Sequence, residues 1–262
     1  MTDKRLTTTE YWDAGYTDRS HTVPLAIDDF RQLWARRLVE IIESVGMENR
    51  SVLEVGAGDS AVLTCLAGRH RQHATFAGLD YSESGCRMLT ARAAAEGVDV
   101  DVYHQDMFSP APELHDRFDL LFSLGVVEHF DNLPSTLESM ARLLSPGGQM
   151  LTVIPNMAGI LGTLTRRYNR AVFELHVAHT IQSLRQGHLD AHLAIEDTGY
   201  ICSTNFGILS SCFESDAAPG WRTFKWLSRL SKLFWFFEAR TGDFPHTAQC
   251  SPYIYVLSRK PR

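Results

Sequence analysis

The stretch 52–60, "VLEVGAGDS", decides how this chain is read: an apolar strand carrying one acid, Glu54, runs straight into a turn built on Gly56 and Gly58. Two glycines at that spacing let the backbone turn tightly and come close to a ligand. A helix starting near Ser60 would aim its free N–H groups at the same place. The form from Gly56 through Ala57, Gly58, Asp59 and Ser60 to Ala61 satisfies the loose dinucleotide fingerprint G-x-G-x-x-G/A, although a plain tight turn needs nothing more. Asp80 closes the next apolar run 22 residues after Gly58, where a carboxylate can accept both hydroxyls of a ribose. The turn therefore points to a bound nucleoside.

Glu54 separates the two nucleosides that suit such a turn. A carboxylate inside a buried strand needs a partner to offset its desolvation. S-adenosylmethionine (SAM) supplies one, through the ammonium of its amino acid end and its cationic sulfur, whereas the pyrophosphate of NAD would be repelled. An NAD-dependent oxidoreductase is disfavoured accordingly.

Outward from this stretch, short apolar runs at 51–55, 75–79, 98–103, 118–123 and 149–154 are each separated by roughly a helix's length. Such alternation implies a parallel sheet with helices on both faces. Upstream, Phe30, Leu33, Trp34, Leu38, Ile41, Ile42 and Val45 recur at helical spacing over 27–45, and Gly46 follows as a C-terminal cap. Beyond Pro155 the pattern loosens: 192–198 reads as a short helix, and 201–212 and 253–257 as two last strands. Two stretches, 156–188 and 213–250, are too long for simple connections and read as insertions on one scaffold.

The chain has 262 residues, 44% of them apolar and 21% charged, which is the balance of a soluble globular protein with one large domain. No segment approaches the roughly 18 apolar residues of a membrane span, and no apolar run follows the first charged residues, so a cytoplasmic location is expected. Five scattered cysteines without a Cys-x-x-Cys pair suggest neither a disulfide framework nor a zinc site. A net charge of −6 lacks the general footprint of a nucleic-acid binder, so no nucleic-acid partner is expected.

Five stretches taken together carry a resemblance: Glu54-Val-Gly56-Ala57-Gly58; Asp80-Tyr81-Ser82; Gln105-Asp106-Met107; Phe118 through Ser123, Leu124 and Gly125 to Glu128-His129; and Leu143 through Gly148. In order and spacing they are similar to the motif set of the class I SAM-dependent methyltransferases. The resemblance implies an α/β fold, a Rossmann-like, doubly wound seven-stranded sheet whose last strand is antiparallel, here with helical lid insertions. It implies a single domain over 1–262, with an N-terminal flap and helix in 1–46, a SAM-binding core in 51–154 and substrate-side insertions in 156–188 and 213–250. By position, Glu54 and the backbone of Gly56, Ala57 and Gly58 would hold the methionine end of SAM. Asp80, with Tyr81 beside it, would hold the ribose, Asp106 and Met107 the adenine, and Ser123 and Leu124 would line the other side. The product would be S-adenosylhomocysteine (SAH). The third glycine of the family's pattern is Ser60 here, which bears on the entry to the following helix.

Methyl transfer from a sulfonium is an in-line displacement, so the protein must position a nucleophile and, where it is protonated, remove its proton. At the exit of the fourth strand the chain lacks the Asn/Asp-Pro-Pro-Tyr/Phe box of base-amine methyltransferases and the Pro-Cys of cytosine-C5 enzymes. Glu128-His129 instead resembles the pair at this point in ubiquinone-biosynthesis and natural-product O-methyltransferases. That implies a small, apolar or aromatic acceptor methylated on oxygen or nitrogen. His129 could take the proton, or the pair could simply begin a helix. In the stretch 164–180, "LTRRYNRAVFELHVAHT", His176 and His179 would share one helix face, with a substrate or base role open to His176. No acidic or cysteine partner accompanies them at ligand spacing, so no metal is assigned. The segment Tyr11 to Tyr16 resembles the aromatic flap that folds over the cofactor in relatives, which would put Tyr16 at the cofactor.

The stretch 221–237, "WRTFKWLSRLSKLFWFF", places Trp221, Phe224, Leu227, Leu230, Phe234 and Phe237 on one helical stripe and four basic residues on another. Packing on the core is the ordinary fate of such a helix. Contact with an anionic membrane and a roof over an apolar substrate are its alternatives, and the stripe could also meet a second subunit. The rival functions are a protein or RNA methyltransferase and a SAM-binding subunit without chemistry.

Overall fold

Apolar runs joined by helix-length segments cannot pair as hairpins, so they lie side by side in parallel with crossover helices on the sheet's faces. The computed structural model describes residues 5–16, 23–242 and 244–262. Parts of the 1–46 flap-and-helix segment, at 1–4 and 17–22, lie outside the described residues. Seven strands, β1 (Arg50–Val55), β2 (Ala74–Asp80), β3 (Asp101–His104), β4 (Phe118–Leu124), β5 (Leu144–Pro155), β6 (Ala194–Ile201) and β7 (Tyr253–Arg259), form one sheet in the order β3-β2-β1-β4-β5-β7-β6. The first five are mutually parallel, and β7 runs antiparallel to both of its neighbours, β5 and β6. This is the doubly wound sheet that the resemblance implies, with its antiparallel last strand.

The helices are α1 (Thr9–Tyr16), α2 (Leu33–Ser44), α3 (Ala61–His70), α4 (Glu83–Glu96), α5 (Leu133–Ala141), α6 (Ile160–Tyr168), α7 (Arg170–Glu174), α8 (Ile181–Asp190) and α9 (Trp221–Thr241). Each face of the sheet is covered. Val52, Leu120 and Phe122 pack with Leu38 and Ile42 of α2, Leu63 and Leu66 of α3 and Leu89 of α4. Leu53, Val55 and Leu121 point the other way, onto Leu137 and Met140 of α5 and Leu184 of α8. Burial on both faces is why these strands read as unbroken apolar runs. Local signals agree at the helix ends. The Ser60 hydroxyl caps α3 at the Leu63 N–H, the Ser82 hydroxyl caps α4 at Gly85, and Thr180 with Ser183 forms a capping box at α8. Gly46 follows α2 in the left-handed region and returns its N–H to Glu43, as its sequence position suggested.

Three expectations fail. Residues 192–198 are not a helix: α8 ends at Asp190 and β6 takes 194–201, because pairing with β7 outweighs the helix propensity of Leu193, Ala194 and Glu196. Residues 201–212 are not a strand: Cys202 adopts a φ of 62°, which ends β6, and Phe206–Cys212 winds into a 3₁₀ helix. His176 and His179 share no helix face, since they lie in the link between α7 and α8.

The helix at 221–237 exists, as α9, but its buried face is Phe224, Ser231, Trp235 and Glu238 rather than the fully apolar stripe. Polar side chains occur there because they hold the irregular segment before the 3₁₀ helix. Trp235 Nε1 donates to the Thr204 carbonyl at 2.6 Å, the Ser231 hydroxyl accepts the Phe206 N–H at 2.9 Å, and Glu238 accepts the Ser203 N–H and hydroxyl. Phe237 faces solvent together with Trp226 and Leu233. No helix among the described residues is long and apolar enough to cross a membrane.

His188 of α8 is fully buried, with Nδ1 2.8 Å from the Ser258 hydroxyl of β7. Burial pushes its pKa down from 6.5 to about 3. The unfolded chain therefore binds this proton first, and the contribution to stability that is intact above pH 6.5 drains away as pH falls toward 3. In His188→Asn, the fall of unfolding free energy between pH 5 and 4, measured by denaturant titration, is expected to be shallower by about 1.4 kcal/mol per pH unit.

Candidate functional site

The site begins where β1 stops. Gly56 and Gly58 take φ values of 71° and 45°, a region open to glycine and costly for other residues. Neither tolerates a side chain for a second reason. A Cβ on Gly56 would lie 2.4 Å from Val126 Cγ2, and one on Gly58 would lie 2.0 Å from the Tyr16 hydroxyl. The Asp80 carboxylate at the end of β2 accepts the Gly58 N–H at 2.7 Å and the Ser82 N–H at 2.8 Å, while the Leu79 carbonyl accepts the N–H groups of Gly56 and Ala57. The turn is thus tied down from the neighbouring strand. Ser60, in the third-glycine place, has an ordinary negative φ and serves as the helix cap, so no glycine is required there.

Glu54 lies beneath this turn, 3% exposed, and its Oε2 has no hydrogen-bond partner. Burial pushes its pKa from 4.5 up to about 8, opposed by a hydrogen bond with Ser60 and reinforced by the negative charges of Asp80 and Asp59. Burial also raises Asp80, against the backbone N–H bonds that favour its charged form. A turn with two acids under it therefore favours a cationic ligand at Glu54 and a hydroxyl-bearing one at Asp80.

Opposite the turn, the N-terminal segment closes the pocket. Leu6 donates its N–H to the His129 carbonyl at 2.8 Å, and Arg5 pairs with Asp106 while lying over the rings of Tyr81 and Phe108. Asp13 in α1 accepts the Ser82 hydroxyl at 2.5 Å. The pocket between these segments has a cavity volume of about 130 Å³. Of the residues singled out in the sequence, Tyr16, Gly56, Asp80, Tyr81, Asp106, Met107, Leu124 and His129 line it. Glu54 and Ser123 lie buried behind the lining, and Ala57 and Gly58 form the turn. Trp12 lines the pocket from the 11–16 segment that resembles an aromatic flap, and Arg5, Thr7 and Phe130 line it without any signal that sequence spacing could have given. Gly125 and Val126 do so through the strand exit.

At that exit, Val127–His129 is a single 3₁₀ turn, held between two other segments. Val177 donates its N–H to the Glu128 carbonyl at 2.7 Å on one side, and Leu6 bonds the His129 carbonyl on the other. His129 Nδ1 lies 2.7 Å from the Leu175 carbonyl, and His176 Nδ1 lies 2.8 Å from that of Val172. A carbonyl only accepts, so in both imidazoles Nδ1 carries the hydrogen and Nε2 presents a lone pair. The two rings stand 4.6 Å apart, and the Trp12 ring meets His129 edge-on at 5.3 Å. Burial, with His176 adding to it, pushes the His129 pKa down to about 4, so it is neutral at neutral pH. Glu128 is 1% exposed, and its carboxyl is pushed up to about 8 by burial. No acidic partner stands near His176 at ligand spacing along the chain, and folding brings it one from 48 residues upstream.

Comparison with known proteins agrees with this geometry. Residues 52–148 match the methyltransferase domain family. Ubiquinone biosynthesis O-methyltransferase of Methylobacterium nodulans is 32% identical over 102 residues, 39% of each chain. The chain thus spans between about two fifths and half of the length of the curated relatives it matches. Among solved structures, a [4+2]-cyclase superposes with a TM-score of 0.59 at 16% identity, over 97% of this chain and 91% of its own. Geranyl diphosphate C-methyltransferase from Streptomyces coelicolor A3(2), solved with Mg²⁺, geranyl diphosphate and SAH, gives 0.59 at 13% identity, over 96% and 97%. The fold is the one these solved structures share, and residues 52–148 are similar to a methyltransferase domain.

Glu54 supplies a prediction. Its raised pKa means that stability is lost as pH climbs from 4.5 through 8, and at pH 7 the cost is on the order of 3 kcal/mol. Glu54→Gln is expected to raise the melting midpoint of the ligand-free protein by several degrees at pH 7.5 and much less at pH 5. Calorimetry at the two pH values checks it, and an equal gain at both would remove the charge argument.

Proposed function

We propose that this protein transfers the methyl group of SAM to an oxygen or nitrogen of a small, apolar or aromatic metabolite. The observation that carries the reading is the unpartnered, fully buried carboxylate oxygen of Glu54 at the foot of the glycine turn. Such an oxygen fits a ligand with an ammonium group and would repel a diphosphate. Glu54 and the turn would hold the amino acid end of SAM, Asp80 its ribose, and Asp106 with Met107 its base. Bound there, SAM supplies a methyl group on a cationic sulfur, which a positioned nucleophile can displace without further activation of the carbon.

The chain's own residues do the rest. Each Asp80 oxygen already accepts one N–H and keeps a lone pair for a hydroxyl. Trp12, Leu124, Val126 and Phe130 give the remaining wall an apolar, partly aromatic character that suits an apolar acceptor and excludes water. His129, on that wall, keeps a neutral imidazole whose Nε2 can draw the proton from an acceptor hydroxyl or amine.

The first test is methyl transfer from isotopically labelled SAM into a small-molecule extract, read by mass spectrometry. A labelled low-mass product is expected with the intact protein. Label in protein or RNA alone would overturn the acceptor class, and no label despite SAM binding would leave a SAM-binding subunit. Two substitutions divide the roles. Asp80→Asn, which retains one acceptor for the turn, should weaken SAH binding at least tenfold in calorimetry. His129→Ala should abolish turnover while SAH affinity stays within threefold.

A further inference from the structure

Glu128, His129 and His176 are brought together for a purpose that core packing does not require. One ligand atom from each lies within 4.8 Å of the others, and His129 Nε2 is 3.9 Å from Glu128 Oε1. Both Nδ1 atoms are committed to backbone carbonyls, an arrangement that fixes the tautomer and turns each Nε2 lone pair outward. Glu128 is 1% exposed with an unpartnered Oε2, and among the described residues its only neighbour at ion-pair distance is His129. Two imidazoles and the Glu128 carboxyl gathered at this spacing form a donor set that suits a cation held between them. His129 reaches the pocket, so that something can be touched by a bound molecule.

We propose that Glu128, His129 and His176 form a binding site for one divalent transition-metal ion, of the zinc class, whose open coordination position faces the pocket. The donor set decides the class. Two imidazoles and one carboxylate suit zinc, cobalt or iron, whereas magnesium and calcium favour all-oxygen sites. Three protein ligands with a free fourth position are the arrangement of catalytic rather than structural zinc. Tetrahedral zinc with bonds near 2.1 Å separates its ligand atoms by about 3.4 Å, so the present donors need close by only roughly 0.5–1.4 Å. Glu128 and His129 are held by the main-chain bonds to Val177 and Leu6, and His176 by its N–H bond to the Phe173 carbonyl, so this adjustment falls to side-chain torsions.

Binding of the metal stands apart from the methyl-transfer reading, but its role rests on that reading. An acceptor hydroxyl at the open position would lose its proton to bulk water, leaving the electron pair on a metal-held oxygen. The cation would thereby take over from the His129 imidazole the task of making the acceptor nucleophilic.

The test uses the untagged full chain, stripped with a chelator and titrated with Co²⁺ and then Zn²⁺ by calorimetry and visible absorption. One ion per chain is expected, with a d–d spectrum of four-coordinate cobalt. Glu128→Gln and His176→Ala should each weaken binding at least a hundredfold while SAH affinity stays within threefold. Should either variant fail to fold, His176→Cys serves instead: a ligand at 176 would give a new sulfur-to-cobalt charge-transfer band. No binding by the intact chain, binding unchanged by the variants, or no such band would overturn the site. Failure of SAH binding in the intact protein would instead sink the cofactor reading and leave the metal result standing.

Discussion

A hydrogen bond from the Gly58 N–H to the Asp80 carboxylate, 2.7 Å long, joins the turn after β1 to the end of β2, and the shape of the pocket depends on it. Without that anchor the turn would have no reason to keep Gly58 at a positive φ, and the N-terminus of α3 would lose its aim. The geometry follows from the sheet order. The chain leaves β1 toward β2 on one side and reaches β4 on the other, so a crevice opens at their carboxyl ends. Asp80 stands at one side of that crevice and Leu124, Gly125 and Val126 at the other.

Two buried carboxylates, Glu54 and Glu128, each keep an oxygen without a partner in the same region of the molecule. Each lowers stability in the absence of a ligand, since burial drives both toward the neutral acid. They differ in surroundings. Glu54 lies beside other acids and the Ser60 side chain, and Glu128 lies beside two imidazoles.

The sheet and the turn were legible in the sequence because both are written locally. Apolar runs, a glycine pair and an acid at the end of the second run occupy neighbouring positions along the chain. What could not be read depends on distant partners. Residues 194–201 become a strand only because β7 offers them an edge, and nothing within 192–198 announces it. Ser231 and Glu238 interrupt the apolar stripe of α9 because they bond a segment some 25 to 35 residues earlier. His176 meets Glu128 through main-chain pairing of Val177, which no spacing rule encodes. Arg5 reaches Asp106 from 101 residues away, and so a cation occupies the carboxylate that the resemblance gives to the adenine.

The position of β7 has a consequence for how the chain is made. It fills the gap between β5 and β6, so β6 and α8 join the sheet through a strand at residues 253–259 that leaves the ribosome after them. Until then β5 presents an open, apolar edge, from Met150 to Ile154, to anything nearby. A nascent chain of this design is exposed to mispairing until β7 has been made, and its rescue depends on how quickly that strand arrives.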